Sequence, residues 1–366
     1  MRRLLVTGGA GFIGANFVHY WRRNYPNDLV VVLDALTYAG NRANLPPGDG
    51  EGDFHFEHGD IVDIEKVSEL MSKYRLDTIV HFAAESHVDR SIHEPDAFIR
   101  TNVTGTHNLL RVAREAWLLA EDAPLDHLFH HVSTDEVYGT LGPDEPPFTE
   151  ITPYAPNSPY AASKAASDHL VRSYHHTFGL QVTTSNCSNN YGPYQFPEKL
   201  IPLMIVNALS GKSLPVYGDG SNIRDWLYVT DHCRGIDLVM NKGRRGATYN
   251  IGGDNERANI DIVKDVCSRI DALFVSRKDL AARFPEAPAA RGEPTESLIR
   301  FVKDRPGHDW RYAIDASRAR DELGYEPGED FDSGLDLTID WMLANVEWWQ
   351  SIMDGSYREW IARNYD

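Results

Sequence analysis

Length, composition and charge already exclude several classes of protein. The 366 residues suggest two domains, or one large α/β domain with an appended lobe. Hydrophobic residues make up 42% of the chain and charged residues 25%, which is typical of globular proteins and excludes disordered, collagen-like and coiled-coil chains. Because 36 basic and 54 acidic residues give a net charge of −18, the surface repels phosphate backbones, and we expect no nucleic-acid partner.

Cysteine content and hydropathy indicate the compartment. The three cysteines, Cys187, Cys233 and Cys267, include no C-x-x-C pair, and their odd number disfavours a disulfide framework and fits a reducing cytoplasm. The apolar run over 4–6 is too short for a signal peptide. No stretch approaches the roughly 20 apolar residues of a membrane helix. We therefore expect a cytoplasmic protein that does not bind membranes.

The first 190 residues alternate short apolar runs with helical patterns. Strands are predicted over 4–7, 29–33, 54–58, 78–82, 128–133 and 182–186, and helices over 11–24, 64–74, 96–119 and 158–178. This alternation predicts βαβ units and a parallel sheet. The runs over 29–33 and 78–82 are almost entirely apolar, which indicates strands covered on both faces.

The pattern changes after about residue 190. Residues 284–296 are rich in Ala, Pro and Glu, which predicts an exposed loop. The aromatic residues near the C-terminus are expected to pack and not to hold a cofactor: Trp341, Trp348, Trp349, Tyr357, Trp360 and Tyr365. We predict a doubly wound α/β domain over 1–190, with parts of about 225–255 returning to it. A smaller, interleaved C-terminal substrate-binding lobe takes most of 191–366.

A Gly-rich sequence follows the first strand and opens a helix. Gly9, Gly11 and Gly14 form G-x-G-x-x-G, and Gly8 precedes them. Such glycines allow a tight turn, and the helix N-terminus offers N–H groups to a pyrophosphate. Asp34 lies 20 residues beyond Gly14, where a carboxylate accepts from ribose hydroxyls and repels a 2′-phosphate. The pattern predicts a Rossmann-like fold that binds NAD, the alternative being a Gly-rich turn without a ligand.

Further candidate residues follow the next two strands. Asp60 comes after the third strand, and Ala83 and Ala84 come after the fourth. Ligands of open α/β sheets lie at the carboxyl ends of the strands, where small and acidic residues suit them. For Asp60, a helix N-cap is an equally good interpretation.

Tyr160 and Lys164 lie four residues apart at the start of a predicted helix and therefore share one face. A phenol has a pKa of about 10, so it needs a nearby positive charge to act as a base at neutral pH. The Lys164 ammonium would supply that charge. Tyr160 is therefore a candidate base for a hydroxyl proton in a hydride transfer.

Two adjacent acids, Asp135 and Glu136, follow the fifth predicted strand. Hydride transfer alone requires a Tyr, a Lys and a hydroxyl, so a further acid and base indicate additional chemistry such as removal of water. The alternative is a solvated turn carrying two acids without a function.

Histidine is plentiful, with 15 residues, and His127, His130 and His131 cluster in sequence. Their spacing matches no H-E-x-x-H or related metal-ligand pattern. We expect surface or hydrogen-bonded core histidines, and no metal.

These motifs resemble those of the extended short-chain dehydrogenase/reductase superfamily, in its nucleotide-sugar branch. Longer strings resemble the dTDP-glucose 4,6-dehydratase family, and together they cover nearly the whole chain. The strings span 36–41, 83–91, 133–139, 186–193, 196–202, 224–226 and 304–308. The chain departs from the family in a shortened loop after Gly139 and in the stretch 284–296, which looks inserted.

The resemblance implies a reaction and a role for each catalytic residue. Tyr160 would deprotonate the glucose 4-hydroxyl while hydride passes to NAD, with Lys164 holding the nicotinamide ribose and tuning the phenol. Thr134 would hydrogen-bond the 4-oxygen. Glu136 would remove the carbon-5 proton and Asp135 would protonate the departing 6-hydroxyl. Hydride would then return to carbon 6, so NAD would stay tightly bound and be regenerated in each turnover.

The resemblance also implies binding residues and an oligomeric state. Around NAD it implies Gly8, Gly11, Phe12, Ile13, Gly14, Asp34, Leu36, Thr37, Asp60, Ile61, Ala83, Ala84, Ser86, Thr101, Tyr160, Lys164 and Asn190. Around dTDP-glucose it implies Ser86, Thr134, Asn189, Lys199, Leu200, Pro215, Tyr217, Arg224, Asn259, Arg305 and His308. Family members are usually homodimers that pack two long helices per subunit, here those near 96–119 and 158–178.

Three alternatives stay open at this point. A nucleotide-sugar 4-epimerase would use the same Tyr, Lys and NAD, but would not need Asp135 and Glu136. The same dehydration could act on another nucleotide hexose. A non-catalytic NAD-sensing protein could share the fold, although such proteins tend to lose Tyr160 or Lys164.

Overall fold

The computed structural model describes residues 1–47, 53–304 and 307–353. Within these ranges no helix is both long and apolar enough to cross a membrane. The strands are β1 (Arg3–Thr7), β2 (Leu29–Asp34), β3 (Phe54–His58), β4 (Thr78–His81), β5 (Leu128–Thr134), β6 (Val182–Cys187), β7 (Asn189–Tyr191), β8 (Leu214–Tyr217), β9 (Ile223–Tyr228), β10 (Thr248–Ile251), β11 (Glu256–Ala258) and β12 (Ile299–Val302). The first six agree with the predicted strands to within one residue at each end.

Helices cover the sheet and build the second lobe. They are α1 (Phe12–Asn24), α2 (Ile64–Tyr74), α3 (Val88–His93), α4 (Pro95–Phe98), α5 (Thr106–Arg114), α6 (Pro159–Phe178), α7 (Leu200–Leu209), α8 (Val229–Lys242), α9 (Asn259–Ser276), α10 (Leu280–Arg283), α11 (Ser317–Leu323), α12 (Phe331–Ala344) and α13 (Val346–Met353). The predicted helix over 96–119 contains two π-helical segments, Ile99–Gly105 and Glu115–Leu119, on either side of α5.

Seven strands form one parallel sheet in the order β10-β6-β5-β4-β1-β2-β3. The chain runs outward from β1 to β3, crosses over, and continues outward on the other side from β4. This order confirms the predicted doubly wound α/β fold, and it creates a crevice beside β1, where the direction of winding changes. The far edge is completed by β10, which pairs with β6.

Alternate residues of β1 face opposite layers, as the pleat of a strand requires. Leu5 packs with buried residues of α2, α5 and α6. Leu4 and Val6 pack on the other side with α1 and α8. The sheet is therefore covered by helices on both faces, as the continuous apolar runs predicted.

The second lobe has its own apolar core, formed by α7, α9 and α12 with strands β8 and β9. The stretch 284–296 is exposed at most of its positions, as predicted, but it is also anchored in this core, which the prediction of an exposed loop missed. Phe284 and Ala287 are 6% and 0% exposed, and Thr295 donates to the Asp271 carboxylate. The composition misleads because these few anchors alternate with exposed Pro, Glu, Arg and Gly positions.

The C-terminal aromatic residues pack where the structure describes them. Trp349 is buried, and the rings of Trp341 and Trp348 lie 5.0 Å apart. Nε1 of Trp348 donates to Oδ1 of Asn44 at 2.7 Å, and Nδ2 of Asn44 donates to the Ala10 carbonyl in the Gly-rich loop. Tyr357, Trp360 and Tyr365 lie outside the described residues.

Candidate active site

A cavity of about 330 Å³ lies at the carboxyl ends of β1, β2, β4, β5 and β6. It is lined on one side by the Gly-rich loop and on the other by the first turns of α6 and the segment before α7. This is the crevice that the crossover beside β1 creates.

Each glycine of the loop after β1 is required for a different structural reason. Gly8 has a φ of +68°, and a Cβ there would lie 2.6 Å from the backbone of Ala83. A Cβ on Gly14 would collide with the carbonyl of Gly8. Gly11 lines the cavity, so a side chain there would fill space that is now open. No side chain caps α1, so its first N–H groups are available to an anion in the cavity.

Asp34 connects the end of β2 to this loop. Its carboxylate accepts from the N–H groups of Ala10 and Leu36, each at 2.8 Å. Burial raises the pKa of Asp34, while the two N–H groups lower it. The carboxylate lines the cavity, where it could accept hydrogen bonds from the hydroxyls of a ribose.

Asp60 does not cap a helix. Asp63 caps α2 by accepting from the N–H of Lys66, whereas Asp60 accepts from the N–H of Val62 within its own turn. The N-cap interpretation of Asp60 is therefore wrong. Its side chain lies at the cavity beside Ile61.

All five predicted catalytic residues line the same cavity: Thr134, Asp135, Glu136, Tyr160 and Lys164. Thr134 ends β5 and caps the short 3₁₀ helix Asp135–Tyr138 through its hydroxyl, which accepts from the N–H of Glu136. Tyr160 and Lys164 lie one turn apart at the start of α6, whose N-terminus is capped by Ser158. The packing of α6 against β5 and the 3₁₀ helix after it thus brings together residues from two segments.

Asp135 lies in an environment that favours its protonated form. It is 2% exposed, and its Oδ2 has no hydrogen-bond partner among the described residues. Burial raises its pKa well above the usual range, and the negative charges of Glu136 and Asp225 add to the shift. Burial and the two neighbouring negative charges therefore favour the protonated form of Asp135, which is the form that can donate a proton.

Tyr160 and Lys164 are both buried. Burial raises the pKa of the Tyr160 phenol well above its ordinary value, and a hydrogen bond from Thr134 opposes that shift. Nζ of Lys164 donates to the carbonyl of Val132 at 2.9 Å. Burial lowers the pKa of Lys164, while the charge of Asp168 raises it. A positive group from a ligand would make the phenol more acidic.

Behind Lys164 lies a buried polar network that the sequence analysis missed. Asp168 accepts from Ser133 and Tyr154, each at 2.9 Å, and its Oδ1 lies 3.0 Å from Nε2 of His131. The signal that could have found it is the spacing Tyr160, Lys164, Asp168, which continues one helix face by four residues.

A further set of contacts, the Tyr38–Arg90–Glu198 cluster, joins three segments next to the cavity. The Arg90 guanidinium lies 3.7 Å from the centre of the Tyr38 ring, and its Nη2 lies 3.6 Å from Oε2 of Glu198. His87 approaches the same carboxylate at 3.7 Å. Burial raises the pKa of Glu198 to about 7. No sequence motif indicates this cluster, because its members lie far apart in the chain.

The predicted cofactor residues line the cavity with one exception. Those that line it are Gly8, Gly11, Phe12, Ile13, Gly14, Asp34, Thr37, Asp60, Ile61, Ala83, Ala84, Ser86, Thr101, Tyr160, Lys164 and Asn190. Leu36 is not among the lining residues, but its N–H donates to Asp34.

The predicted substrate residues divide into two groups. Ser86, Thr134, Asn189 and Lys199 line the cavity. Leu200, Pro215, Tyr217, Arg224, Asn259 and His308 lie in the second lobe and do not line it. The buried Arg224 guanidinium donates to the carbonyls of Ile223 and Asp309 and lies 4.3 Å from the centre of the Tyr312 ring. Arg305 lies outside the described residues.

The neighbouring histidines are not arranged around a metal. His130 and His131 are buried and lie within hydrogen-bond distance of Thr183 and Asp168. Over 1–47, 53–304 and 307–353, no three His, Cys, Asp or Glu side chains form a group that could hold a metal ion.

Comparison with known proteins identifies the family. A family model described as GDP-mannose 4,6 dehydratase matches residues 5–338. The dTDP-glucose 4,6-dehydratase of Xanthomonas campestris pv. campestris (strain B100) is 56% identical, over 98% of this chain and 98% of that protein. This chain belongs to the dTDP-glucose 4,6-dehydratase family.

Solved structures agree with membership of that family. The dTDP-glucose 4,6-dehydratase of Streptomyces venezuelae, crystallised with NAD bound, has a TM-score of 0.82 and 47% identity, over 96% of this chain and 99% of that one. The UDP-glucose 4-epimerase of Thermotoga maritima has a TM-score of 0.78 but only 26% identity, over 94% of this chain and 99% of that one. Dehydratases and epimerases thus share the fold, and sequence identity favours the dehydratases.

Proposed function

We propose that this protein catalyses the NAD-dependent dehydration of dTDP-glucose to dTDP-4-dehydro-6-deoxyglucose, which makes it a hydro-lyase. The observation that carries the proposal is the placement of Asp135 and Glu136 in one cavity with Tyr160 and Lys164. A single cavity therefore holds the base for oxidation and the acid and base for elimination.

The cavity fits NAD. The open space at Gly11, the uncapped N-terminus of α1 and the Asp34 carboxylate suit a pyrophosphate followed by a ribose without a 2′-phosphate. When bound, NAD accepts the hydride from carbon 4 and later returns it to carbon 6. We expect it to stay tightly bound through the whole cycle.

The first step is removal of the 4-hydroxyl proton by Tyr160. The ammonium of Lys164 stabilises the phenolate, and the hydroxyl of Thr134 holds the 4-oxygen in place. As the proton leaves oxygen 4 and the hydride leaves carbon 4, that carbon becomes a ketone.

The second step is elimination of water across carbons 5 and 6. The 4-keto group acidifies the proton on carbon 5, and Glu136 removes it. Asp135, kept protonated by its burial, gives its proton to the departing 6-hydroxyl, so that water leaves. The hydride then returns to carbon 6, and a proton returns to carbon 5.

The other predicted residues bind the cofactor and the substrate. The cavity-lining residues named above hold NAD, and Ser86, Asn189 and Lys199 hold the sugar diphosphate from the other side. The second lobe, with Arg224, Tyr217 and His308, holds the rest of the nucleotide. Residues 1–190 with β10 act as the NAD-binding unit, and most of 191–366 acts as the substrate lobe.

We also infer a homodimer. Ile99, Leu119 and Phe178 are 52%, 60% and 42% exposed, and they lie on the two helical regions that pack subunits together in the family resemblance. Exposed apolar side chains are typical of surfaces that bind a partner, so these two helical regions are the expected subunit interface.

The test is mass spectrometry of dTDP-glucose incubated with purified protein and no added NAD. Loss of one water supports both the dehydration and the retention of NAD. A sugar isomer of unchanged mass would contradict the proposal in favour of an epimerase. If nothing changes even with NAD supplied, another nucleotide hexose or a non-catalytic role replaces it, and UDP-, GDP- and CDP-linked hexoses are tried next.

A further inference from the structure

A buried carboxylate that the steps above do not use lies one helical turn beyond Lys164. Asp168 is 6% exposed and Lys164 is 5% exposed, and their spacing of four residues places both on one face of α6. The carboxylate accepts from Ser133 and Tyr154, while His131 approaches its other oxygen. Three polar groups therefore stabilise a negative charge inside the protein.

The charge of Lys164 depends on its surroundings, because burying an ammonium without a counter-charge is strongly unfavourable. Among the groups that act on it, Asp168 is the strongest in favouring the protonated form, followed by the Cys187 thiol on β6. His131 on β5 and His81 on β4 also face Lys164, and burial lowers the pKa of both, so they carry no charge at neutral pH. Asp168 is thus the principal anion near Lys164.

We propose that Asp168 is the counter-ion that keeps Lys164 protonated, and that through Lys164 it sets how readily Tyr160 loses its proton. The proposal rests on the roles of Tyr160 and Lys164 given above. Asp168 touches neither the cavity nor the reacting atoms, so it is a positioning residue.

The role proposed for Asp168 predicts how activity depends on pH. Burial raises the pKa of Asp168 to about 6, opposed by Lys164 and by the hydrogen bonds from Ser133 and Tyr154. Other groups that act on the carboxylate are His131 and His169. Below about pH 6, Asp168 takes up a proton and Lys164 loses its counter-ion. The Tyr160 phenol then ionises less readily, so activity falls on the acidic side.

The test is the substitution Asp168→Asn in NAD-loaded protein, with the ionisation of Tyr160 followed by ultraviolet absorbance. Each protein is also prepared with Tyr160→Phe, and the spectrum of that version is subtracted. The difference contains the absorbance of the Tyr160 phenol without that of the other tyrosines. We expect Asp168→Asn to raise the pKa of Tyr160 by at least about one unit, a tenfold smaller phenolate fraction at a given pH. An unchanged Tyr160 titration in folded Asp168→Asn protein would overturn the proposal.

Ser167→Ala is the matched control. Ser167 is buried beside Asp168, and its hydroxyl donates to the carbonyls of Ser163 and Lys164. Its removal perturbs the same part of α6 without changing a charge. We expect the pKa of Tyr160 to be unchanged in this variant. An equal shift of that pKa in Ser167→Ala and Asp168→Asn would mean that the shift is a structural effect.

Tyr154→Phe keeps the proposal testable if Asp168→Asn does not fold. Removing one donor makes the carboxylate harder to ionise, so the acidic limb of the pH–rate profile should move upward. A loss of equal size at every pH would contradict the proposal. Because the titration of Tyr160 needs no sugar substrate, it decides the role of Asp168 even if dTDP-glucose is not the substrate.

Discussion

Asp135 and Glu136 are neighbours in the chain but differ in environment. Asp135 is enclosed, whereas Glu136 is half-buried, and the negative charge of Glu136 itself helps to keep Asp135 protonated. Two carboxyl groups whose environments differ in this way can act as acid and base at one pH. The difference arises because Asp135 follows a buried strand directly, while Glu136 lies one residue further along the turn.

Glu136→Gln should separate oxidation from elimination. The amide cannot remove the carbon-5 proton, whereas Tyr160 and Lys164 are unchanged, so bound NADH should accumulate while dehydrated product falls by at least about 100-fold, the usual effect of losing a general base. Rapid-mixing absorbance follows NADH, and mass spectrometry follows the loss of water. Dehydration at the wild-type rate would show that another group removes the proton.

Asp135→Asn should stabilise the fold, and more so at higher pH. The folded state raises the pKa of Asp135, so it holds a proton that the unfolded chain releases above about pH 4. Stability that is present below that pH is lost as pH rises towards the folded-state pKa, by about 1.4 kcal/mol per unit. Thermal unfolding at pH 4.5 and 7.5 measures this, and an equal effect at both pH values would refute it.

The residues of the site divide into those that sequence can identify and those that it cannot. Gly8, Asp34 and Tyr160 belong to short motifs whose spacing reports a turn or a helix face, so local sequence identifies them. Asp168 and Glu198 function through partners on distant strands and loops. Local spacing places Asp168 on the helix face of Tyr160 and Lys164, but the contacts of Asp168 and Glu198 depend on the tertiary fold, which no local spacing encodes.

At the scale of elements, the Tyr38–Arg90–Glu198 cluster connects the segment after β2 to α3 and to the segment before α7. Segments on both sides of the cavity are therefore held together by side chains and not by continuous secondary structure. We therefore expect the cluster to help retain a dinucleotide bound in the cavity.

Arg90→Ala should weaken the retention of NAD. The change removes the guanidinium from both the Tyr38 ring and the Glu198 carboxylate, so we expect purified protein to lose at least half of its NAD during gel filtration. Arg111→Ala is the control, because Arg111 is exposed on α5 and pairs with Glu115. Nucleotide released by acid from each protein is measured, and equal content in both would rule out a role for the cluster.

The segment 284–296 should contribute to stability in spite of its composition. Phe284→Ala removes a buried ring from the core of the second lobe and should lower the free energy of unfolding by about 3–5 kcal/mol. Glu286→Ala, two residues away and exposed, should change it by less than about 0.5 kcal/mol. Chemical denaturation measures both, and similar values would mean that the segment does not pack as described.

The helix over 96–119 shows what periodicity alone cannot predict. Asn102 lies in a π-helical segment, where its amide donates to the Glu85 carbonyl and to Oγ of Ser163 and accepts from the N–H of Glu85. These bonds connect the helix to the segment after β4 and to the first turn of α6, between Tyr160 and Lys164. The pattern of apolar residues predicts a helix, but not its local widening.

For the whole molecule, the exposed apolar residues give a direct test of the homodimer. Leu119→Asp together with Phe178→Asp places charge on both helical regions and should halve the mass measured by light scattering. Leu125→Asp changes a more exposed leucine outside them and should leave the mass unchanged. A wild-type protein with the mass of one chain would refute the dimer directly.

The position of β10 at the edge of the main sheet has a consequence for biosynthesis. A ribosome releases the chain N-terminus first, so the outer edge of β6 has no partner until Thr248–Ile251 has emerged. The contact from Trp348 through Asn44 to Ala10 forms later still. The nascent NAD-binding unit therefore exposes an unpaired strand edge, a template for wrong pairing, until the chain has been translated through β10.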